Sequence, residues 1–256
     1  MSILLEARDI TVRFGGLMAL KGVDLAVAAG EVLSVIGPNS AGKTTLFNVL
    51  TGRVKPTAGN VQFRGQTIER LPAFRIAQLG VVRTFQKTEV FGSLSLVDGV
   101  AAGALARGDP QPLARAREAL DRVGLLGKAE LSAHQLSYGD QRLLELAQAL
   151  AAKPAVLLLD EPASGMNHQE SAHIVRLIGE LRGQGLAIIL VEHNMHVVMT
   201  ISDRVIVINY GEKIAEGRPD EVRANPRVIE AYLGVDATAD ATTDAPADPP
   251  ADARAQ

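Results

Sequence analysis

The sequence predicts an α/β fold with a mostly parallel sheet, an N-terminal antiparallel β-layer and a helical subdomain. Three observations carry this. Residues 3–27 alternate apolar and polar side chains around a Gly15-Gly16 turn, the signature of paired, half-buried strands. Short apolar runs at 32–36, 155–159 and 186–191 have the length of strands buried on both faces. Helical patterns separate those runs, as the crossovers of a parallel sheet require.

Taken in order, the run at 32–36 ends in Gly37-Pro38-Asn39-Ser40-Ala41-Gly42-Lys43-Thr44, and a helix-like stretch follows at 45–50. Strand, glycine loop and helix together are the context in which this spacing makes a phosphate-binding loop. Backbone N–H groups of the loop and helix tip point at an anion. Lys43 reaches the terminal phosphates and the Thr44 hydroxyl is placed to ligate Mg²⁺. A strand-like run at 81–85 leads to Gln86, a residue type that is by itself an ordinary surface glutamine. Strand signals then vanish over about 94–136, where Leu113, Ala116, Leu120 and Val123 recur at helical spacing after Pro110 and Pro112. That periodicity predicts a helical insertion whose apolar positions form core.

A second glycine turn, Leu136-Ser137-Tyr138-Gly139-Asp140-Gln141, opens another helix. The run at 155–159 ends in Asp160-Glu161-Pro162 and the run at 186–191 in Glu192-His193-Asn194. Ligands of open α/β sheets bind at the carboxyl ends of the strands. There Asp160 would hold Mg²⁺, Glu161 would polarise an attacking water, and His193 would sense the terminal phosphate and orient that water. Taken singly, paired acids after a strand are as often a solvated loop, and a lone histidine is usually structural. The expected division is 1–93 for the first part of the core, 94–136 for the helical subdomain, 137–234 for the second part of the core, and 235–256 for a tail.

Composition limits the alternatives. The 256 residues, 47% hydrophobic, suffice for one α/β domain with a small subdomain. With no cysteine there is neither disulfide nor thiol chemistry. Glu6, Arg8 and Asp9 interrupt the first ten residues, so no secretory signal is expected. No run approaches the roughly 18 apolar residues that span a bilayer, so work at a membrane needs a spanning partner. Net charge is −3, and five aspartates against Arg254 in the tail account for it, leaving no charge reason to expect nucleic acid. The tail's Ala, Asp, Thr and Pro have almost nothing to bury, which predicts disorder dispensable for catalysis.

The order of phosphate loop, Gln86, the turn at Ser137 to Gln141, Asp160-Glu161 and His193 resembles that of ATP-binding cassette (ABC) ATPases, over roughly residues 4–233. Arg83-Thr84-Phe85-Gln86, Leu136-Ser137-Tyr138-Gly139, Ser164-Gly165-Met166-Asn167 and the segment 228–234 are most similar to the subunits of branched-chain amino acid importers. That resemblance implies ATP and Mg²⁺ as cofactors, with Phe14 stacking on adenine and Gly37, Pro38, Asn39, Ser40, Ala41, Gly42, Lys43, Thr44 and Thr45 around the phosphates. Thr44, Gln86 and Asp160 would serve the metal, and Glu161, His193, Gln86 and Lys43 the hydrolysis. Ser137 and Gly139 would complete the site of a neighbouring cassette, because a helix N-terminus offers free N–H donors and partial positive charge.

Implied partners are a second ATPase subunit, expected to be a different chain although a homodimer is the alternative in isolation, transmembrane permease subunits, and indirectly a periplasmic binding protein. The implied location is peripheral, at the cytoplasmic face of the inner membrane. Lipopolysaccharide-exporter-type or soluble cassettes, and a non-hydrolysing nucleotide switch, remain open at this point. Two residues depart from the resemblance. Ser40 stands where cassettes have glycine, so if the position needs φ > 0 nucleotide affinity is expected to be weakened. His168 stands where proline is usual, and is expected to be a surface residue at a helix N-terminus.

Overall fold

Alternation along the central strands sorts their side chains between two separate cores. In β3 (Val32–Ile36), Val32 faces one hydrophobic cluster while Leu33 and Val35 face another. In β7 (Val156–Asp160), Leu157 and Leu159 join the first and Val156 and Leu158 the second. In β8 (Ala187–Val191), Ile188 and Leu190 divide in the same way from Ala187, Ile189 and Val191. Every residue of these three strands is buried, which is why the sequence shows continuous apolar runs there. The computed structural model describes residues 2–84 and 94–232.

The central sheet has the order β10-β9-β3-β8-β7-β6. Its neighbours β9 (Arg204–Asn209), β3, β8, β7 and β6 (Val81–Arg83) pair in parallel, and β10 (Glu212–Gly217) turns back antiparallel on β9. A second, antiparallel sheet runs β2-β1-β4-β5, built from β1 (Ile3–Phe14), β2 (Leu17–Ala28), β4 (Ala58–Phe63) and β5 (Gln66–Thr67). Its inward residues Leu5, Ile10, Leu20 and Val23 meet α1 (Lys43–Leu50) and one face of the central sheet in a single core. α2 (Ala73–Leu79) adds Ile76 to it.

The other face of the central sheet carries α6 (His168–Gly183) and a helical group of α3 (Leu96–Ala106), α4 (Pro112–Arg122) and α5 (Tyr138–Ala151). α3, α4 and α5 pack on one another, so the helix opened by the second glycine turn lies with the inserted helices. Of the apolar positions expected in the insertion, Ala116, Leu120 and Val123 are buried, whereas Leu113 is 52% exposed. The reason is local: α4 starts at Pro112, which leaves Leu113 in the first turn at the helix tip. α7 (Met195–Ile201), α8 (Pro219–Arg223) and a helix at 226–232 close a third cluster beneath the end of β3. Among the described residues, no helix is long and apolar enough to cross a membrane.

Candidate functional site

The strand order sets three chain segments side by side at the carboxyl edge of the sheet. Val35 of β3 pairs with Val191 of β8, and Asp160 of β7 pairs with the same Val191. The loops after those strands therefore converge, bringing the phosphate loop, Glu161 and His193 into one cleft, with Asp160 and Glu192 buried at the ends of the same strands. Phe14, Ser40, Lys43, Thr44, Glu161 and His193 all line it.

The loop itself is held in conformations that glycine favours. Gly37 has φ 153° and a side chain there would lie 2.0 Å from the Ile208 carbonyl oxygen. Gly42 caps the N-terminus of α1, and Ala41 beside it is buried. Lys43 is 7% exposed and donates to the carbonyls of Gly37 (2.6 Å) and Pro38 (2.8 Å). Burial pushes its ammonium below the usual lysine range, with the carboxylates of Glu161 and Asp160 opposing. Pro38 is buried, Asn39 and Ser40 are exposed at the rim, Thr44 is exposed and Thr45 half-buried. Phe14 ends β1 and is 50% exposed beside the cleft; it is a surface aromatic rather than a core one.

Ser40 has φ 64°, the left-handed conformation that a Cβ disfavours by roughly 1–2 kcal/mol. The cost belongs to the folded backbone. Ser40→Gly is accordingly expected to raise unfolding free energy by about 1 kcal/mol, allowing for glycine's greater unfolded-state entropy. Urea denaturation of the two proteins checks this.

Across the cleft, Glu161 has φ 50°, a strained backbone of the kind that accumulates at working sites. Its Oε1 lies 2.7 Å from His193 Nε2, so the Nε2–H tautomer donates to the carboxylate and fixes it. Asp160 is 2% exposed; its Oδ2 accepts from Arg83 Nη2 at 2.5 Å, while its Oδ1 has no partner among the described residues. A buried acidic oxygen without a donor fits a hydrated Mg²⁺ ion, as does the exposed hydroxyl of Thr44, which lines the cleft. Gln86 lies outside the described residues.

Ser137 and Gly139 do not join this cleft. Ser137 caps α5, its Oγ accepting from the Asp140 N–H at 3.2 Å, and Gly139 lines a separate hollow with Asp140 and Glu170. A Cβ on Gly139 would come within 2.4 Å of the Glu170 carboxylate, so a side chain there would require the Glu170 side chain to move. Tyr138 turns toward the loop before α6: its hydroxyl donates to the Ser164 carbonyl (3.1 Å) and accepts from Arg142 Nη2 (2.9 Å). His168 is the first residue of α6, with Asn167 as its N-cap.

Sequence reasoning missed Glu192. This carboxylate is 3% exposed and accepts from three backbone N–H groups, those of Ala163 (3.1 Å), His193 (2.7 Å) and Asn194 (3.0 Å). It ties the loop after Glu161 to the turn that carries His193. Glu192→Ala leaves those three donors without their acceptor and is expected to cost about 3 kcal/mol of stability, measurable by chemical denaturation. Adjacency to His193 was the only available signal. Tyr232 was also missed in this role: it packs against the cluster containing Ile36, at the root of the phosphate loop.

With this geometry established, comparison with known proteins is direct. The ABC transporter family profile matches residues 20–164, and a second, for branched-chain amino acid ATP-binding cassette transporters, matches 212–238. The chain belongs to the ABC transporter family and is one of its ATP-hydrolysing cassettes. Within that family it is 44% identical to the high-affinity branched-chain amino acid transport ATP-binding protein LivG of Escherichia coli K12, over 90% of this chain and 98% of that one. It is 41% identical to BraF of Pseudomonas aeruginosa, which carries the same description, with the same coverage. The lipopolysaccharide export protein LptB of Acidithiobacillus ferridurans is 33% identical over 91% of this chain and 98% of its own length. Among solved structures, a nucleotide-free cassette of an ABC transporter superposes with TM-score 0.84 at 28% identity, covering 90% of this chain and 99% of that one. The ADP conformation of such a cassette gives 0.84 at 29%, covering 91% and 100%.

Proposed function

We propose that this chain is the energy-coupling subunit of an importer for branched-chain amino acids or related small polar or amphipathic solutes, acting through partner membrane subunits. The observation that carries the reading is the split arrangement of the site: the phosphate loop, Glu161 and His193 line one cleft, whereas Gly139 lines another, at the start of the helix that Ser137 caps. A helix N-terminus that presents donors away from its own phosphate loop suits a head-to-tail pair, in which each ATP is gripped by one cassette and capped by the other. The higher identity to LivG and BraF than to LptB favours import over lipopolysaccharide export.

In this reading Phe14 supports the adenine, and loop N–H groups from Gly37 to Thr45 with Lys43 hold the phosphates. Thr44, Asp160 and Gln86 would hold Mg²⁺, which supplies charge neutralisation of the phosphates. Glu161 takes the proton of the attacking water, and His193 keeps that carboxylate aimed through their hydrogen bond. The partner cassette is a different subunit, a homodimer being the alternative in isolation. Both sit at the cytoplasmic face of the inner membrane beneath permease subunits, which receive solute from a periplasmic binding protein. An apolar groove between α2 and α3, with Phe74 63% exposed on its rim, offers the permease a seat.

The test is reconstitution of the chain with its partner cassette and permease in proteoliposomes, with phosphate release and solute entry measured together. Hydrolysis stimulated by receptor loaded with a branched-chain amino acid is the expected result. Hydrolysis indifferent to the receptor and permease would overturn the transport assignment.

A further inference from the structure

Among the described residues, a buried cation that the hydrolytic scheme above does not use, Arg83, is paired with Asp160 and lines the groove between α2 and α3. Arg83 ends β6, and the parallel register of β6 on β7 sets it beside Leu158, within reach of Asp160 across 77 residues of chain. Its Nη2 donates to Asp160 Oδ2 at 2.5 Å, and the two side chains are 8% and 1% exposed. Its Nη1 donates to Asn48 Oδ1 at 2.7 Å, and the guanidinium lies 5.4 Å from the centre of the Phe47 ring. Both Asn48 and Phe47 belong to α1, the helix that begins with Lys43. Arg83 thus joins the helix behind the phosphate loop to the acid expected to face the metal. It does so three residues before Gln86.

We propose that Arg83 is a positioning residue that serves as the resident counter-charge of Asp160, occupying Oδ2 and leaving Oδ1 as the face presented to a hydrated divalent cation. The proposal rests on the reading of this cleft as a Mg²⁺·nucleotide site. A carboxylate this deeply buried needs a positive neighbour at all times, because an isolated charge in such surroundings is strongly disfavoured. Arg83 supplies it whether or not a cation is present, and the unpartnered Oδ1 is the oxygen left over. Arginine suits the task better than lysine, since its planar fork serves Asp160 and Asn48 together while its face covers Phe47. Arg83 and a bound cation then act on one carboxylate alongside the charge of Lys43, and those two substitute for each other in part.

That partial substitution separates a counter-charge from ordinary structural glue. The experiment compares the full chain with Arg83→Met and Arg83→Lys by thermal unfolding in EDTA, in ADP with EDTA, and in Mg²⁺ with ADP. In EDTA, Arg83→Met is expected to unfold about 10 °C lower than the unsubstituted chain, since the buried acid has lost its partner. Mg²⁺ with ADP recovers more than half of that deficit, whereas ADP with EDTA does not. Arg83→Lys, which keeps the charge and loses the fork, shows less than half the deficit in EDTA.

A deficit that is the same in all three conditions, or as large for Arg83→Lys, would overturn the proposal and leave a purely structural ion pair. Should Arg83→Met be unfolded in EDTA, regain of a cooperative transition on adding Mg²⁺ with ADP is the supporting outcome and continued absence of one the opposing outcome. If the unsubstituted chain gains no stability from Mg²⁺ with ADP, the nucleotide-site reading falls and takes this proposal with it. Failure of the variants alone leaves that reading standing.

Discussion

Glu161→Gln is expected to lower ATP turnover by roughly 10²–10⁴-fold, the range over which a positioned general base accelerates proton transfer. The amide has the size and planarity of the carboxylate, and its oxygen can still accept from His193 Nε2, which lies 2.7 Å from Oε1 in the native chain. Geometry is therefore retained while basicity is lost. The φ of 50° at residue 161 is carried by either side chain, so the fold should not distinguish them. Lys43 and the loop amides are untouched, and nucleotide remains bound. With the partner cassette present, the two chains should accumulate as an ATP-dependent pair, seen as a shift in size-exclusion elution that requires ATP. Phosphate release measured in parallel decides the matter: unaltered release would remove Glu161 from the role of base.

Gly37→Ala should have a comparably large effect through the backbone. The added methyl would sit 2.0 Å from the Ile208 carbonyl oxygen, and that carbonyl is part of β9, the strand paired with β3. Neither side can yield without parting the two strands at the point where the loop begins. A φ of 153° adds strain for any side chain. A loss of about 3 kcal/mol or more is expected, which for a domain of this size lowers the melting temperature by about 10 °C. Nucleotide binding should fail as well, because Lys43 donates to the Gly37 carbonyl and its anchor moves with the strand. Gly179→Ala is the control. It lies within α6 and no atom approaches its added methyl within 4 Å, so it is expected to hold or raise stability by about 0.5–1 kcal/mol. Thermal unfolding with nucleotide titration of both variants checks the pair.

Much of this arrangement was legible because burial leaves a period in the sequence. The runs that became β3, β7 and β8 are almost wholly apolar, Ser34 and the terminal Asp160 apart, since both faces of the sheet are covered. The first two strands alternate because only one side of their sheet is packed, and Gly15-Gly16 falls between them as expected. The end of the chain was less readable. β10 is half-buried along most of its length and forms the edge of its sheet, so it shows neither a continuous apolar run nor a clean alternation.

At the site, the loop and the paired acids announced themselves by local spacing, whereas long-range partnerships did not. Nothing near Arg83 in the chain indicates Asp160, and only the register of β6 on β7 brings them together. Glu192 looked like one more acid after a strand until its three N–H donors were located. Leu113 misled for the opposite reason, having the right period but standing one turn too early to reach the core.

The separation of Ser137 from Lys43 has a genetic consequence. If two unlike cassettes combine, this chain contributes its lysine to one composite centre and its serine to the other. Lesions at the two positions then disable different halves of the machine, and each half can be silenced independently by editing a single gene.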